Sequence, residues 1–223
     1  MRASPPDAQS LPVVLVQGFG CHPRVLDPLA RRITGRLGRP TLCLTTGFGF
    51  GDIRDTALEL LESIVGITPL AGCARVDVVA HSMGGLVSAY MLKCLDQGRR
   101  VRRVVALGSP FGGIAGARFA ALLGPFAGAL AQAAPGSRLL RLLKTPPVPS
   151  GSALISISGS LDRLISEASA RVQEGLGQHH FDAGPCGHLQ LLLGSRAFRQ
   201  IAHALDARGL EAGAHPASLP TAA

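Results

Sequence analysis

The segment Val76–Met91 limits the folds open to this chain more than any other stretch of it. A valine-rich apolar run ends at Ala80, Ser82 follows, and two glycines then lead into an apolar pattern with helical spacing. A serine with Ala80 and Gly84 two positions away on either side, between a strand and a helix, has the layout of a nucleophile elbow. Small residues are expected there because the sharp, strained turn brings these two positions together. The alternative is a glycine-containing turn in which the serine only caps the helix.

Strand-like and helix-like segments alternate along the chain. Apolar runs typical of buried parallel strands occupy Pro12–Val16, Thr41–Thr45, Arg75–Ala80, Arg102–Leu107 and Ala153–Ser158, and a short sixth lies around Gln178–Phe181. Helical spacing occupies Leu26–Leu37, Asp52–Gly66 with Asp52 as its N-cap, Met83–Gln97, and one or two helices within His188–Asp206. The alternation predicts the α/β class: a single doubly wound, mainly parallel sheet of about six strands, with the functional loops at the carboxyl ends of the strands.

Residues 111–150 interrupt this alternation, because they contain no strand-like run and are too long for a plain connection. We predict that they form a helical cap insert over the site; ordinary crossover helices without a substrate role are the alternative. The α/β core then comprises residues 11–110 and 151–210. Residues 1–10 and 211–223, which are rich in alanine, proline and serine, are predicted to be flexible tails.

The composition is that of a folded globular domain, with 47% hydrophobic and 16% charged residues. The net charge of +8 includes two arginine groups: Arg31, Arg32, Arg36 and Arg39, and Arg99, Arg100, Arg102 and Arg103. No nucleic-acid motif surrounds either group, so we interpret both as solvated basic faces and predict no nucleic-acid partner. The charge is compatible with transient contact with an anionic lipid surface.

Nothing at the amino terminus has the pattern of a signal peptide, because Met1–Ser10 contains no apolar run. The longest apolar stretch, Phe119–Ala131, contains Gly124 and Pro125 and is too short to span a bilayer. The five cysteines include no Cys-x-x-Cys pair and suit reduced thiols better than a disulfide framework. Together these features predict a cytoplasmic location.

A reactive serine needs a base and a group that orients the base. Asp162 follows the fifth predicted strand and a glycine turn, which delivers its carboxylate to the sheet edge that carries Ser82. Asp182 is the rival acid, and Glu167 is a weaker one. His188 is the predicted base, since it lies in a glycine loop beyond the last strand and before an apolar helix.

The other histidines fit the role of base less well. His81 belongs to the elbow and is expected to point elsewhere, His22 lies in the first loop, and His203 and His215 lie late in the chain. His179 and His180 are neighbours on a strand and point to opposite faces, so at most one of them can compete.

A metal site is an alternative for part of this region. Four potential ligands, His179, His180, Cys186 and His188, occur close together in the chain. Their spacing matches no zinc pattern, so neither a metal nor an organic cofactor is predicted.

An acyl-transfer site also needs two main-chain N–H donors for the developing oxyanion. Met83, the residue after the serine, supplies one at the start of a helix. The second is expected from the loop after the first strand, with the Phe19 N–H as the candidate. Gly18 and Gly20 on either side of Phe19 allow this backbone to approach a substrate closely.

These motifs together resemble the α/β-hydrolase lipases and esterases. The segments that carry the resemblance occur in the family's order: residues 13–20 (Val-Val-Leu-Val-Gln-Gly-Phe-Gly), 80–85 (Ala-His-Ser-Met-Gly-Gly), 108–113 (Gly-Ser-Pro-Phe-Gly-Gly), 159–162 (Gly-Ser-Leu-Asp) and 187–189 (Gly-His-Leu). The chain is similar to the bacterial triacylglycerol lipase group, which includes small members whose elbow also begins with alanine. Residues 135–140 resemble a cap-region pattern of that group.

The resemblance covers residues 11–195 and implies a minimal α/β-hydrolase fold that lacks the two leading strands of larger hydrolases. It implies a serine hydrolase that cleaves carboxylic esters of small molecules or lipids through an acyl-enzyme, with the triad Ser82, His188 and Asp162. A thioesterase or acyltransferase on the same triad is the alternative, and a non-catalytic hydrolase-like binding protein is a further one. One departure bears on the site: Gln17 stands where the family usually has histidine, which is expected to weaken the anchoring of the first loop.

Overall fold

Six strands form the centre of the molecule, whose computed structural model describes residues 11–45, 51–117 and 127–211. The strands are β1 (Val13–Val16), β2 (Thr41–Leu44), β3 (Val76–His81), β4 (Val101–Leu107), β5 (Ala153–Ser158) and β6 (Gln178–Asp182). They make one sheet in the order β2-β1-β3-β4-β5-β6, and every neighbouring pair is parallel. The predicted single parallel sheet is confirmed, and each predicted strand agrees with the observed one to within one residue at either end.

The helices alternate with these strands. A short 3-10 turn (Pro23–Leu26) precedes α1 (Asp27–Leu37), followed by α2 (Ile53–Leu70), α3 (Met83–Tyr90), α4 (Ala127–Gln132), α5 (Arg138–Lys144), α6 (Glu167–Ala170), α7 (Gln190–Leu193) and α8 (Ser195–Asp206). Asp52 caps α2 as predicted, since its side chain accepts a hydrogen bond from the Arg54 N–H. Helix α3 continues into a π-helical segment, Met91–Asp96, which the apolar spacing did not distinguish from an ordinary helix.

Both faces of the sheet are covered, which explains why every residue of the inner strands β1, β3, β4 and β5 is buried. Val14 and Val16 of β1 belong to the core shared with α2, α3, α4 and α5. Val13 and Leu15 point the other way, into the core shared with α1, α7 and α8. The carboxyl ends of the strands therefore emerge between two layers of helices, at one edge of the sheet.

Two helices of the predicted insert lie on the same face as α2 and α3. Gln132, the last residue of α4, accepts a hydrogen bond from the Ile53 N–H at the start of α2. Lys93 donates to the Leu143 carbonyl in α5, so the insert is attached to the helix that follows Ser82. The part of the insert at 118–126 lies outside the described residues, as do the predicted tails at 1–10 and 211–223 except for Glu211, whose carboxylate binds Arg103 at 2.6 Å.

Three of the arginines predicted to form solvated basic faces are buried instead. Arg39 and Arg102 both bind the carboxylate of Asp77, at 2.7 and 2.5 Å. Arg103 donates to the carbonyls of Ala204 and Leu205 near the end of α8. The prediction was wrong for these three because their partners come from distant parts of the chain.

None of the described helices is both long enough and apolar enough to cross a membrane.

Candidate active site

Ser82 lies on a strained turn at the carboxyl end of β3. Its backbone has φ 54° and ψ −128°, and Gln97 is the other residue besides glycine with a positive φ in the described parts of the chain. The Ser82 N–H donates to the Leu107 carbonyl at the end of β4, over 2.8 Å. A left-handed φ at a partly exposed serine between a strand and a helix is the backbone geometry of a nucleophile elbow.

Gly84 is small for a reason that the spacing alone did not reveal. We expected Ala80 and Gly84 to crowd each other across the turn. The structure instead places the main-chain oxygen of Gln17 so close to Gly84 that a Cβ atom there would overlap it. The absence of a side chain therefore allows the loop after β1 to lie directly beside the elbow.

Asp162 and His188 form the hydrogen-bonded pair that the sequence predicts. His188 Nδ1 lies 2.7 Å from Asp162 Oδ2. The other carboxylate oxygen, Oδ1, accepts hydrogen bonds from the N–H groups of Leu164 and Ile165, both at 2.9 Å. Because an ionised carboxylate only accepts, the proton of the neutral imidazole lies on Nδ1, and Nε2 keeps its lone pair. A base oriented in this way can take a proton through Nε2.

Gly108, at the end of β4, forms the surface on which this pair rests. It has a φ of 54°, and a Cβ atom there would lie 3.1 Å from Asp162 Oδ2 and 3.2 Å from His188 Nδ1. The preceding residue, Leu107, accepts the Ser82 N–H. The end of β4 thus lies between the serine on one side and the acid–base pair on the other.

The structure brings His188 to the elbow through the residue that precedes the serine. The rings of His81 and His188 have their centroids 4.5 Å apart, and His81 Nε2 lies 3.1 Å from the His188 carbonyl oxygen. Among the hydrogen bonds of the described residues, none joins Ser82 Oγ to the His188 ring. Hydrogen bonds between nucleophile and base are often long before a substrate binds and shorten in the reactive complex.

His81 is the residue that sequence reasoning misjudged. It was expected to point away from the site, yet its buried ring packs against that of His188. Burial and the neighbouring His188 lower the pKa of His81 to about 4. No signal in the sequence reveals this contact, because it depends on where the loop after β6 returns to the sheet.

The two residues predicted to donate to the oxyanion line one small cavity. Phe19 in the loop after β1 and Met83 at the first turn of α3 face this space together with Ile53 and Thr56 of α2. A helix N-terminus contributes free N–H groups and a partial positive charge there. Both candidate donors thus lie beside the same space, and their role as an oxyanion hole stays a prediction.

The rival acids bind elsewhere. Asp182 is exposed and accepts a hydrogen bond from the Gly184 N–H at 2.7 Å. Glu167 forms an exposed ion pair with Arg171 at 3.2 Å. Neither carboxylate has a contact with His188, so the acid in reach of the base is Asp162.

The remaining histidines of the described residues also have other partners. His22 accepts from the Arg24 N–H, His179 bonds to the Leu210 carbonyl, His180 bonds to Ser156 and Ser158, and the His203 ring lies against Phe181. His215 lies outside the described residues.

The four side chains considered as metal ligands each have a different hydrogen-bond partner; they are His179, His180, Cys186 and His188. The Cys186 thiol lies against the Ala183 carbonyl, and each histidine has the separate partner given above. Within residues 11–45, 51–117 and 127–211, no three histidine, cysteine or acidic side chains are grouped so as to hold a metal ion.

Comparisons with known proteins agree with this architecture. The model of the alpha/beta hydrolase family matches residues 13–156, well over half of the chain. The mature lipase BlEst2 from Bacillus licheniformis superposes with a TM-score of 0.75 at 18% identity, over 91% of this chain and 94% of that one.

Two larger proteins share the fold. Lipase B from Aspergillus fumigatus gives a TM-score of 0.68 at 18% identity, over 98% of this chain and 57% of its own. Phospholipase PlaB from Legionella pneumophila gives 0.67 at 13% identity, over 88% of this chain and 59% of its own. Structural similarity at such low identities shows the fold alone. The predicted resemblance to lipase- and esterase-like folds is confirmed. Because the family model matches well over half of the residues, the chain belongs to the alpha/beta hydrolase family.

Proposed function

We propose that this protein is a serine hydrolase that cleaves carboxylic esters through an acyl-enzyme. The observation that carries the proposal is the strained Ser82 turn at the same sheet edge as the hydrogen-bonded pair Asp162 and His188. A serine that only capped α3 would have an extended backbone and would bond to the helix N–H groups. The Ser82 side chain makes no such cap, and its φ is left-handed.

Acylation begins when His188 Nε2 removes the proton from Ser82 Oγ. The oxygen attacks the ester carbonyl carbon, and the carbonyl oxygen becomes an oxyanion held by the N–H groups of Phe19 and Met83. Asp162 stays ionised and stabilises the imidazolium through its 2.7 Å hydrogen bond to Nδ1. The tetrahedral intermediate then collapses, and His188 donates its proton to the departing alcohol.

Deacylation repeats these steps with water as the nucleophile. His188 takes a proton from the water, the hydroxide oxygen attacks the acyl carbon, and Ser82 leaves with the proton that His188 returns. The carboxylic acid product departs and the enzyme is regenerated. Neither half of the cycle requires a cofactor from outside the chain.

A cavity lies between the predicted cap insert and the loop after β4. It has a volume of about 260 Å³ and is lined by Phe111, Leu140, Leu143 and Val172 among others. Leu140 and Leu143 belong to α5, so part of the predicted cap insert lines this space. The lining is mixed, since Lys144, Arg171 and Gln173 also face this space. It includes none of Ser82, Asp162 and His188, so this cavity does not by itself select the acyl group.

A fluorophosphonate probe tests the nucleophile directly, because it reacts with activated serines and stays attached. The wild-type protein should bind one equivalent, with the adduct on Ser82. Ser82→Ala should lose ester hydrolysis by a factor on the order of 10⁵ and remain folded. Ser160→Ala is the control, since Ser160 is an exposed serine in the Asp162 loop and should leave the rate unchanged. Absence of labelling on a folded sample would contradict the proposal.

A substrate series decides which acyl donor is natural. We expect p-nitrophenyl esters of medium chain length to turn over faster than acyl-thioesters of the same length. Faster thioester turnover would make the protein a thioesterase, and transfer to an added alcohol in preference to water would make it an acyltransferase. A rise in rate above the solubility limit of a long-chain ester would indicate a lipase.

A further inference from the structure

His81 stands out as a buried ionisable group at the site to which the catalytic steps give no task. It is 1% exposed and forms the last residue of β3, directly before Ser82. Two other buried ionisable side chains have evident partners: Asp77 binds arginines, and Asp162 binds His188 and the N–H groups of its own loop. The position of the His81 ring therefore calls for a physical explanation.

The hydrogen bond of His81 fixes which of its nitrogens carries the proton. Nε2 lies 3.1 Å from the main-chain oxygen of His188, and a carbonyl oxygen only accepts, so Nε2–H is the donor. Nδ1 is then the unprotonated nitrogen, and it has no hydrogen-bond partner among the described residues. A second proton on Nδ1 would be buried without an acceptor, which favours the neutral ring.

The same ring also contacts the His188 side chain. The two ring centroids lie 4.5 Å apart with an angle of 50° between the planes, so the His81 ring restricts the rotation of the His188 imidazole. Asp162 holds the imidazole by Nδ1 from the other direction. His188 is thus fixed at its main chain, at its ring face and at Nδ1.

We propose that His81 is a positioning residue that holds the base for the serine beside it. Its Nε2–H fixes the backbone of His188, and its ring supports the imidazole so that His188 Nε2 stays within reach of Ser82. This inference rests on the proposed function, since it assigns a task within the same site.

The neutrality of His81 matters for this task. The charged groups that face it are His188 and Asp162, and the burial of the ring with His188 beside it keeps its pKa at about 4. When His188 becomes an imidazolium during the reaction, His81 adds no competing positive charge. A lysine or arginine in this place would disfavour the protonated base.

Four variants separate positioning from simple packing. His81→Phe keeps a ring and removes the donor, His81→Gln keeps an N–H donor near the Nε2 position, and His81→Met removes both ring and donor. His179→Phe is the matched control, because His179 Nε2 makes the same kind of hydrogen bond, to the Leu210 carbonyl at 2.7 Å, in the last strand.

We expect His81→Phe to lower kcat about tenfold with little change in KM, since a loss of orientation acts on the chemical step. His81→Gln should recover most of that loss, and His179→Phe should retain the wild-type kcat. The far-downfield proton resonance of the His188 Nδ1–H, which is bonded to Asp162, should be sharp in the wild type and in His81→Gln. It should broaden in His81→Phe. Should His81→Phe not fold, His81→Met replaces it.

Two results would overturn the inference. One is a folded donor-free variant with the wild-type kcat and an unchanged downfield resonance. The other is an equal loss in His81→Gln and His81→Phe with that resonance unaltered, which would make His81 a packing residue only. Fluorophosphonate labelling of the wild type keeps the two proposals apart. No adduct on Ser82 removes the esterase assignment, whereas labelling with an unaffected His81→Phe removes only the positioning role.

Discussion

Buried charged groups have different partners at the two ends of the parallel strands. At the amino edge, where the strands begin, Asp77 binds Arg39 and Arg102 at 2.7 and 2.5 Å, and all three side chains are buried. At the carboxyl edge, where the strands end, the Asp162 carboxylate faces a histidine whose second nitrogen has no hydrogen bond among the described residues. A carboxylate bound by two arginines holds the structure, while a carboxylate bound to a histidine with one unbonded nitrogen can support the movement of a proton.

This contrast predicts which property each edge controls. Removing one partner of a fully buried ion pair leaves a charge without compensation, which lowers stability. Removing the acid of the hydrogen-bonded pair changes which nitrogen of His188 carries the proton, which should lower the rate of the proposed ester hydrolysis. Substitutions at the amino edge should therefore act on unfolding, and substitutions at the carboxyl edge should act on turnover.

The largest expected effect belongs to the carboxyl edge. In Asp162→Asn, the amide NH₂ group faces His188 Nδ1 and favours the tautomer with its proton on Nε2, which cannot accept the serine proton. Turnover of a p-nitrophenyl ester should fall by about 10⁴ while the melting temperature changes little. Asp182→Asn is the control, since this rival acid caps the Gly184 N–H instead. A wild-type rate in Asp162→Asn would break the comparison at this edge.

Asp77→Asn tests the amino edge. It leaves the Arg39 and Arg102 guanidiniums buried without a carboxylate, so the free energy of unfolding should fall by about 3–5 kcal/mol. Chemical denaturation measures this loss, and kcat should be retained at temperatures where the variant is folded. Glu62→Gln removes an exposed carboxylate of α2 and should leave stability unchanged. A stability like that of the wild type in Asp77→Asn would mean that water solvates the two arginines.

A pH dependence sharpens the comparison, because His81 at the carboxyl edge also affects stability. Its pKa is about 4 in the folded protein against an ordinary value of 6.5, so unfolding takes up a proton below pH 6.5. The contribution of the neutral His81 ring to the free energy of unfolding is complete above pH 6.5. It is lost as the pH falls towards 4, and the loss is at most about 3 kcal/mol. Thermal unfolding across this range should show a shallower acid dependence for His81→Gln than for the wild type. An equal pH dependence of the melting temperature in His81→Gln and the wild type would contradict the lowered pKa of His81.

The smallest expected effect concerns the cap of α2 beside the predicted oxyanion cavity. The hydrogen bond from Arg54 lowers the pKa of Asp52 from 3.8 to about 2, so its stabilising effect is present above pH 3.8 and is lost as the pH falls towards 2. Asp52→Ala should lower the free energy of unfolding by about 1 kcal/mol at neutral pH. Asp55→Ala, an exposed acid in the same turn, should cost clearly less, because it makes no cap bond.

The sheet was predictable because each strand carries its own local signal. Apolar runs marked the first five strands, whereas β6 (Gln-His-His-Phe-Asp) has none, and chain order placed Ser82 and Asp162 at one edge. The loop with His188 was identified by its glycine and by its position after the last strand. The hydrogen bond between Asp162 and His188 agrees with that prediction.

Contacts between distant segments were not predictable in the same way. Arg39 and Arg102 lie 38 and 25 residues from Asp77, so nothing near them in the sequence indicates that they are paired and buried. The hydrogen bond of His81 spans 107 residues and depends on the path of the loop after β6. The π-helical segment after α3 keeps the apolar spacing of an ordinary helix and therefore carries no separate signal.

The backbone angle of Ser82 restricts which residues can ever occupy that position. Threonine has the same hydroxyl group, but its branched Cβ atom is strongly disfavoured at a φ of 54°. Cysteine has an unbranched side chain of similar shape and is compatible with the turn. A replacement for Ser82 as the proposed nucleophile is therefore restricted to side chains without a branch at Cβ, such as cysteine, and cannot simply add a methyl group.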